Sequence, residues 1–240
     1  ERVTDLRTLH TDNANPQYIA EHPVASARIL ETIAEYNTPG DILSFGVESF
    51  DETVIRSNNL GTRVESIFQA IKLVNEIGGV RKEGIPALLP GINLIAGLIG
   101  ETKSTFVRNL EALKKITEEG WLLRRINLRQ VMIFPETPLW AYRQSHYLPF
   151  HHREFQRFKE KVRTEIDRPM LQRVFPTGTI IRDVITEYLD GNNTFGRPLW
   201  TYGILVGIRE PLPIGEKWDV TVTEHGFRSL TGRIIQAEEP

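Results

Sequence analysis

The chain has 240 residues, is 40% apolar and 25% charged, and carries a formal net charge of −2, an ordinary composition for one or two globular domains. That balance does not demand a nucleic acid or an anionic membrane, and no run of about 18 apolar residues is present to cross a bilayer. Cysteine is absent, which excludes a disulfide framework, a thiolate zinc site and a cysteine-ligated iron–sulfur cluster held by this chain. No secretory signal is visible, which favours the cytoplasm. The chain opens on Glu1 without an initiator Met, inside what reads as a strand-and-loop segment, so it is expected to be a piece of a longer protein.

Residues 1–140 alternate helical and strand patterns. His22 to Asn37 has Val24, Ile29, Leu30 and Ile33 on a helical face, stopped by Thr38-Pro39-Gly40. Ile42 to Val47 reads as a short strand. Thr62 to Ile77 is the clearest helix, with Thr62 and Glu65 as a capping box and Gly78-Gly79 at its end. Leu88 to Gly97 reads as a buried strand, Thr102 to Glu119 as a helix with Phe106, Leu110, Leu113 and Ile116 on one face, and Arg124 to Phe134 as another strand. This β-α-β-α-β order is that of a parallel sheet or barrel covered by helices. Residues 141–174 form a helical connector, whose charges of alternating sign from His151 to Arg168 predict a solvated helix. Residues 175–240 form a small β-rich domain. Its expected strands are Trp200 to Ile208, Lys217 to Thr223 and Phe227 to Ile235, with His225-Gly226 at a hairpin turn; a small antiparallel barrel of TRAM or OB type is the expected fold.

Ligands of parallel α/β sheets bind at the carboxyl ends of the strands. Period two places Ser44, Gly46 and Glu48 on one face of the first strand, and Asn93, Ile95 and Gly97 on one face of the second. In the third, Asn127 and Arg129 share one face while Gln130, Met132 and Phe134 share the other. Polar and small residues where a core would take Val or Ile meet a ligand or each other. Gly97-Leu98-Ile99-Gly100-Glu101-Thr102 then opens a helix, and its glycines allow close approach of backbone to a ligand. Glu101 equally suits the positive end of the helix that follows it.

Ser44-Phe45-Gly46-Val47-Glu48-Ser49-Phe50-Asp51, followed by a helix and then Asn93-Leu94-Ile95-Ala96-Gly97-Leu98-Ile99-Gly100-Glu101-Thr102, resembles the back half of radical S-adenosylmethionine (SAM) enzymes. Asp12-Asn13-Ala14-Asn15-Pro16, Leu89-Pro90-Gly91-Ile92-Asn93, Arg124 to Val131, and the stretch from Phe195-Gly196-Arg197 to His225-Gly226-Phe227-Arg228-Ser229 are similar to an uncharacterised, largely archaeal group of that superfamily. Its members carry a β domain and a helix-hairpin-helix after the barrel. The resemblance implies an α/β fold: the rear part of a partial (β/α) barrel, followed by the β-rich domain. It implies SAM and a [4Fe-4S] cluster as cofactors of an oxidoreductase, with the cluster's cysteines outside this chain, so that the chain alone is expected to be inactive. Glu48 and Ser49 would lie at the ribose, Gly97, Gly100 and Glu101 at the glycine-rich turn, Asn93 at the methionine end or the substrate, and Met132 and Phe134 beside the adenine. Asn13, Asn15, Asn127 and Arg129 would face substrate. No catalytic residue is assigned. Ile99 departs from the pattern, which has Pro there.

His146, His151 and His152 lie in a polar helical stretch without a metal-ligand motif, so no metal site is assigned. A carboxylate pair of Glu48 and Glu101 is an alternative for acid–base chemistry. Trp200, Tyr202, Trp218 and Phe227 are expected mostly in the core of the β-rich domain, with base stacking as the alternative. Arg197, Arg209, Arg228 and Arg233 make a mild basic patch, offset by glutamates, which is the ground for RNA or DNA as a partner of residues 175–240. The substrate and the oligomeric state are open; a dimer would cover the exposed edge of an incomplete barrel.

Overall fold

The structure, a computed structural model, describes residues 6–201 and 203–235. In chain order the elements are β1 (Asn13–Ala14), α1 (Pro16–Glu21), α2 (Pro23–Tyr36), β2 (Asp41–Glu48), α3 (Glu52–Ser57), α4 (Val64–Gly78), β3 (Arg81–Lys82), β4 (Ile85–Pro86), β5 (Leu88–Ala96), α5 (Lys103–Glu118), β6 (Arg125–Gln130), α6 (Pro138–Ser145), α7 (His152–Lys161), a π-helical stretch (Val162–Asp167), α8 (Arg168–Val174), β7 (Ile180–Asp190), β8 (Asn193–Pro198), β9 (Leu205–Ile208), β10 (Lys217–His225) and β11 (Ser229–Ile234). The fold is mixed α/β: a four-stranded parallel sheet in the order β1-β2-β5-β6, a two-stranded β3-β4 ribbon, and a closed five-stranded barrel.

The sheet is apolar on one side only. Leu43, Phe45 and Val47 of β2, Ile92, Leu94 and Ala96 of β5 and Ile126 of β6 are buried under Ile67, Ile71 and Val74 of α4 and Phe106, Leu113 and Ile116 of α5. Helix α4 ends hard against the sheet: a Cβ on Gly78 would lie 2.2 Å from the Leu88 carbonyl oxygen, so only glycine fits. The expected capping box of Thr62 and Glu65 is not formed. Arg63 is the N-cap, without a side-chain hydrogen bond, and Thr62 is buried. In α5, by contrast, the Thr105 hydroxyl accepts from the Thr102 N–H at 3.0 Å. Helix α2 also turns differently from its sequence pattern. Ser26 and Leu30 are its buried residues, whereas Val24 and Ile29 are exposed, because the helix meets the core along a narrower stripe.

The connector is not a solvated helix. Phe155 and Phe158 of α7, Val162 and Ile166 of the π-helical stretch and Met170 of α8 all enter the sheet's core, and Phe106 of α5 lies with ring centroids 6.3 Å from Phe155 and 5.8 Å from Phe158. Its charges cover the outer face of an amphipathic layer.

In the barrel, β7 pairs with β8, β8 with β9, β11 with β10 and β10 with β7, all antiparallel, while β9 and β11 are parallel. The barrel is therefore not wholly antiparallel, and two of its strands, β7 and β8, are missing from the sequence reading. In β7 the register shifts opposite Trp218/Val220 of β10 and, against β8, between its own Thr186 and Tyr188, and Asp183 has φ 48°, so the period of two is broken. In β8 the buried residues are Thr194, Gly196 and Pro198, and the glycine and the proline are poor strand formers. The expected strand from Trp200 shrinks to Leu205–Ile208. The barrel core of Ile181, Val184, Val206, Val220 and Val222 continues through Phe175 and α8 to Ile85 and Leu89, so it shares a core with the lower edge of the sheet. Trp200 and Trp218 pack against that core and Phe227 is 47% exposed; Tyr202 lies outside the described residues. Among the described residues no helix is long and apolar enough to cross a membrane.

Candidate functional site

Parallel sheets normally carry helices on both faces. Here the second face is polar, and no helix covers it among the described residues. Register aligns Asn13, Ser44, Gly91 and Arg125 in one row and Gly46, Asn93 and Asn127 in the next, while Ile95 pairs with Arg129 nearer the carboxyl ends. Residues paired across strands point to the same side. Asn127 Nδ2 donates to Asn93 Oδ1 at 2.8 Å and Arg125 Nε donates to Asn127 Oδ1 at 2.9 Å, so a hydrogen-bonded line crosses from β6 to β5.

Glu48 ends β2 at the rim of this face. Its φ is 60°, in the left-handed region that disfavours a side chain, and the β2–β5 register shifts between Gly46 and Glu48. The carboxylate folds back over Gly46, whose added Cβ would stand 3.1 Å from Glu48 Oε1. Oε2 is buried without a hydrogen-bond partner among the described residues. Burial pushes the Glu48 carboxyl above its ordinary range, and the Arg129 guanidinium pulls it back.

The glycine-rich turn stands at the end of β5. Gly97 and Gly100 have φ 91° and 82°. Glu101 Oε2 accepts from the Gly97 N–H at 2.8 Å, and its other oxygen is buried without a partner among the described residues. Burial pushes this carboxyl up to about 7, opposed by that hydrogen bond. Asn58, at the end of α3, clamps the turn from the other side, accepting from the Ile99 N–H at 3.1 Å and donating to the Ile99 carbonyl at 2.8 Å. Glu101 thus braces its own turn, and this binding of the carboxylate weighs against pairing it with Glu48 for acid–base work.

Other expected site residues have structural roles. Ser49 is buried; its hydroxyl accepts from the Asp51 N–H at 3.0 Å and lies 3.4 Å from Asn109 Oδ1. Asp51 caps α3 and accepts from Thr105 Oγ1 at 2.7 Å and Arg108 at 2.8 Å. This buried knot ties the end of β2 to α5 and holds Glu48 in place; no sequence motif announces it. Asn15 is the N-cap of α1, its Oδ1 accepting from Gln17 at 2.8 Å and Tyr18 at 3.3 Å, whereas Asn13 lies exposed on β1 opposite Ser44. Strand β6 ends at Gln130, so Met132 and Phe134 are not strand residues; they lie in the following loop, 73% and 56% exposed. The apolar wall beside Gly97 is made instead by Val131, Ile133 and Phe150, which with Gln130 and Arg143 line a cavity of about 210 Å³. The opposite parity of the alternation was the only signal for them. His146 stacks on Tyr142 with centroids 4.3 Å apart and His151 meets Phe106 edge-on. Among the described residues no group of three or more His, Asp or Glu side chains is placed to hold a metal ion.

Fold and site together define a mixed α/β protein with a polar face toward the carboxyl ends of its parallel sheet and a closed five-stranded barrel. The chain is 46% identical over 237 residues to an uncharacterised protein of Methanocaldococcus jannaschii and 44% identical over 227 residues to one of Archaeoglobus fulgidus. It is matched over 98% and 94% of its own length but spans only 44% and 42% of those archaeal proteins. No family model matches it. Among solved structures it is similar to coproporphyrinogen III oxidase of Escherichia coli, a radical SAM enzyme, with a TM-score of 0.40 and 16% identity over 78% of this chain and 45% of that one.

Proposed function

We propose that the chain is the rear half of a radical SAM barrel and that its uncovered polar face receives SAM. The observation that carries this reading is Glu48: a half-buried carboxylate in a strained conformation, with one buried oxygen lacking a partner among the described residues, at the carboxyl end of an open parallel sheet. Strain of this kind, of order 1–3 kcal/mol, persists where a site requires the geometry. The resemblance to radical SAM enzymes implies a ribose contact for the same residue.

The residues present suit SAM and do not suit its cluster. Glu48 would accept from the ribose hydroxyls. The Gly97–Gly100 turn would present backbone to the nucleoside, with Val131 and Phe150 as the apolar wall in place of Met132 and Phe134. Asn93, Asn127 and Arg129 offer amide and guanidinium donors to a carboxylate or to substrate. Ser49 would position Glu48 rather than touch the ligand. With no cysteine here, cluster ligands would come from outside this chain. SAM beside a reduced iron–sulfur cluster supplies hydrogen-atom abstraction; the protein's part is to bind, orient and exclude water.

The test is 5′-deoxyadenosine formation by the longest natural form of the protein, purified without oxygen, reconstituted with iron and sulfide, reduced and given SAM. Product that falls at least tenfold in Glu48→Ala is the expected result. A cluster-loaded protein without product, or undiminished product from Glu48→Ala, contradicts the proposal.

A further inference from the structure

The four arginines that looked like one basic patch in the sequence are divided by the fold. Arg209 pairs with Glu224 at 2.7 Å and shares a cavity with Arg233, Glu210 and Glu224. Arg197 and Arg228 instead face the α/β part. With Arg124 and Arg125 they line a cavity of about 360 Å³ between β6, α8 and the barrel, in which Asp167 is the one carboxylate. A second cavity of about 690 Å³ runs along the outer face of α7 and the π-helical stretch, lined by Arg153, Arg157, Lys159 and Arg163 with Glu160. Phe227, exposed in the β10–β11 loop, lines both. Eight cationic side chains thus line these two adjoining cavities with Asp167 and Glu160, in a chain whose net charge is −2; Arg197 is already paired with Glu187, which leaves seven cations against those two carboxylates. Arg228, Arg163, Arg153 and Arg157 make no ion pair within 4.0 Å among the described residues.

We infer that this composite groove binds single-stranded nucleic acid, with backbone phosphates on the arginines and a base stacked on Phe227. The chemistry is that of sequence-tolerant strand binding, a cationic track interrupted by an aromatic platform. Charge is segregated over two adjoining cavities, which suits a polyanion better than one small phosphate ester. A π-helical stretch inside a helix often marks a functional site, and this one carries both Arg163 and Asp167. The groove is built from both halves of the chain, and of its cations and its aromatic platform the barrel supplies Arg197, Arg228 and Phe227. The inference is independent of SAM binding at the opposite, carboxyl ends of the strands.

The experiment is fluorescence anisotropy of the 240-residue chain with labelled ten-nucleotide oligouridylate and oligothymidylate at rising salt, with tripolyphosphate as competitor. Binding should weaken with salt. Arg228→Ala should lower the slope of log affinity against log salt by about 0.7. Phe227→Leu should weaken binding about tenfold at unchanged slope. Asp167→Asn should tighten binding at pH 8, which a merely damaged fold would not do, and Arg209→Ala should change nothing. No binding at about 25 mM salt overturns the inference. So does tripolyphosphate competing as well as the oligonucleotide at equal phosphate, or wild-type binding by both Arg228→Ala and Phe227→Leu.

Discussion

Glu101 and Glu48 share a rim but answer to different demands. The Glu101 carboxyl stands at about 7 when folded, against about 4.5 ordinarily, because burial disfavours its charge. A raised value means stability that is complete below pH 4.5 and lost as pH rises through 7, up to about 3 kcal/mol. Glu101→Gln keeps an acceptor for the Gly97 N–H and removes that loss. Urea unfolding should show it close to the parent at pH 4.5 and more stable by about 1–3 kcal/mol at pH 8; lower stability at both would contradict the assignment. Asp51 is the structural counterpart. It caps α3 and holds Thr105 and Arg108, so Asp51→Ala should cost about 3 kcal/mol in thermal or urea unfolding. At this scale parity and local chemistry singled out Glu48 and the turn glycines as candidates in the sequence. The sequence could not show that Ser49 is held against Asn109, sixty residues away; Asn15, by contrast, stands before Pro16 as an N-cap would, a local signal that a substrate role passed over.

Among the elements, strands β2 and β5 and helices α4 and α5 were legible because one face of each is continuously apolar. The α7 layer misled because the alternating charges drew the reading, although Phe155, Phe158, Val162 and Ile166 recur at the spacing of one helical face and all four are buried. Phe158→Ala should therefore cost about 3–4 kcal/mol in unfolding free energy, where a solvated helix would lose almost nothing. Strands β7 and β8 escaped notice for the opposite reason: bulges and buried glycine replace the alternation that marks a strand.

For the whole molecule, the barrel and the sheet share Ile85, Leu89, Leu171 and Val174. Removing residues 175–235 would expose that patch, and the remainder should lose its cooperative thermal transition or aggregate; a clean, unshifted transition would show the two cores to be independent. The larger claim concerns the other side of the sheet, where Asn93, Asn127 and Arg129 lie beside the half-buried Glu48 on a face that such sheets normally cover. Titration calorimetry of the chain with S-adenosylhomocysteine, a redox-inert relative of SAM, tests it most directly. Heat of binding that falls at least tenfold in affinity for Glu48→Ala, and persists in Arg209→Ala, is the predicted result. Equal binding by the parent and Glu48→Ala, or saturation by neither at millimolar ligand, would contradict the assignment of this face to SAM.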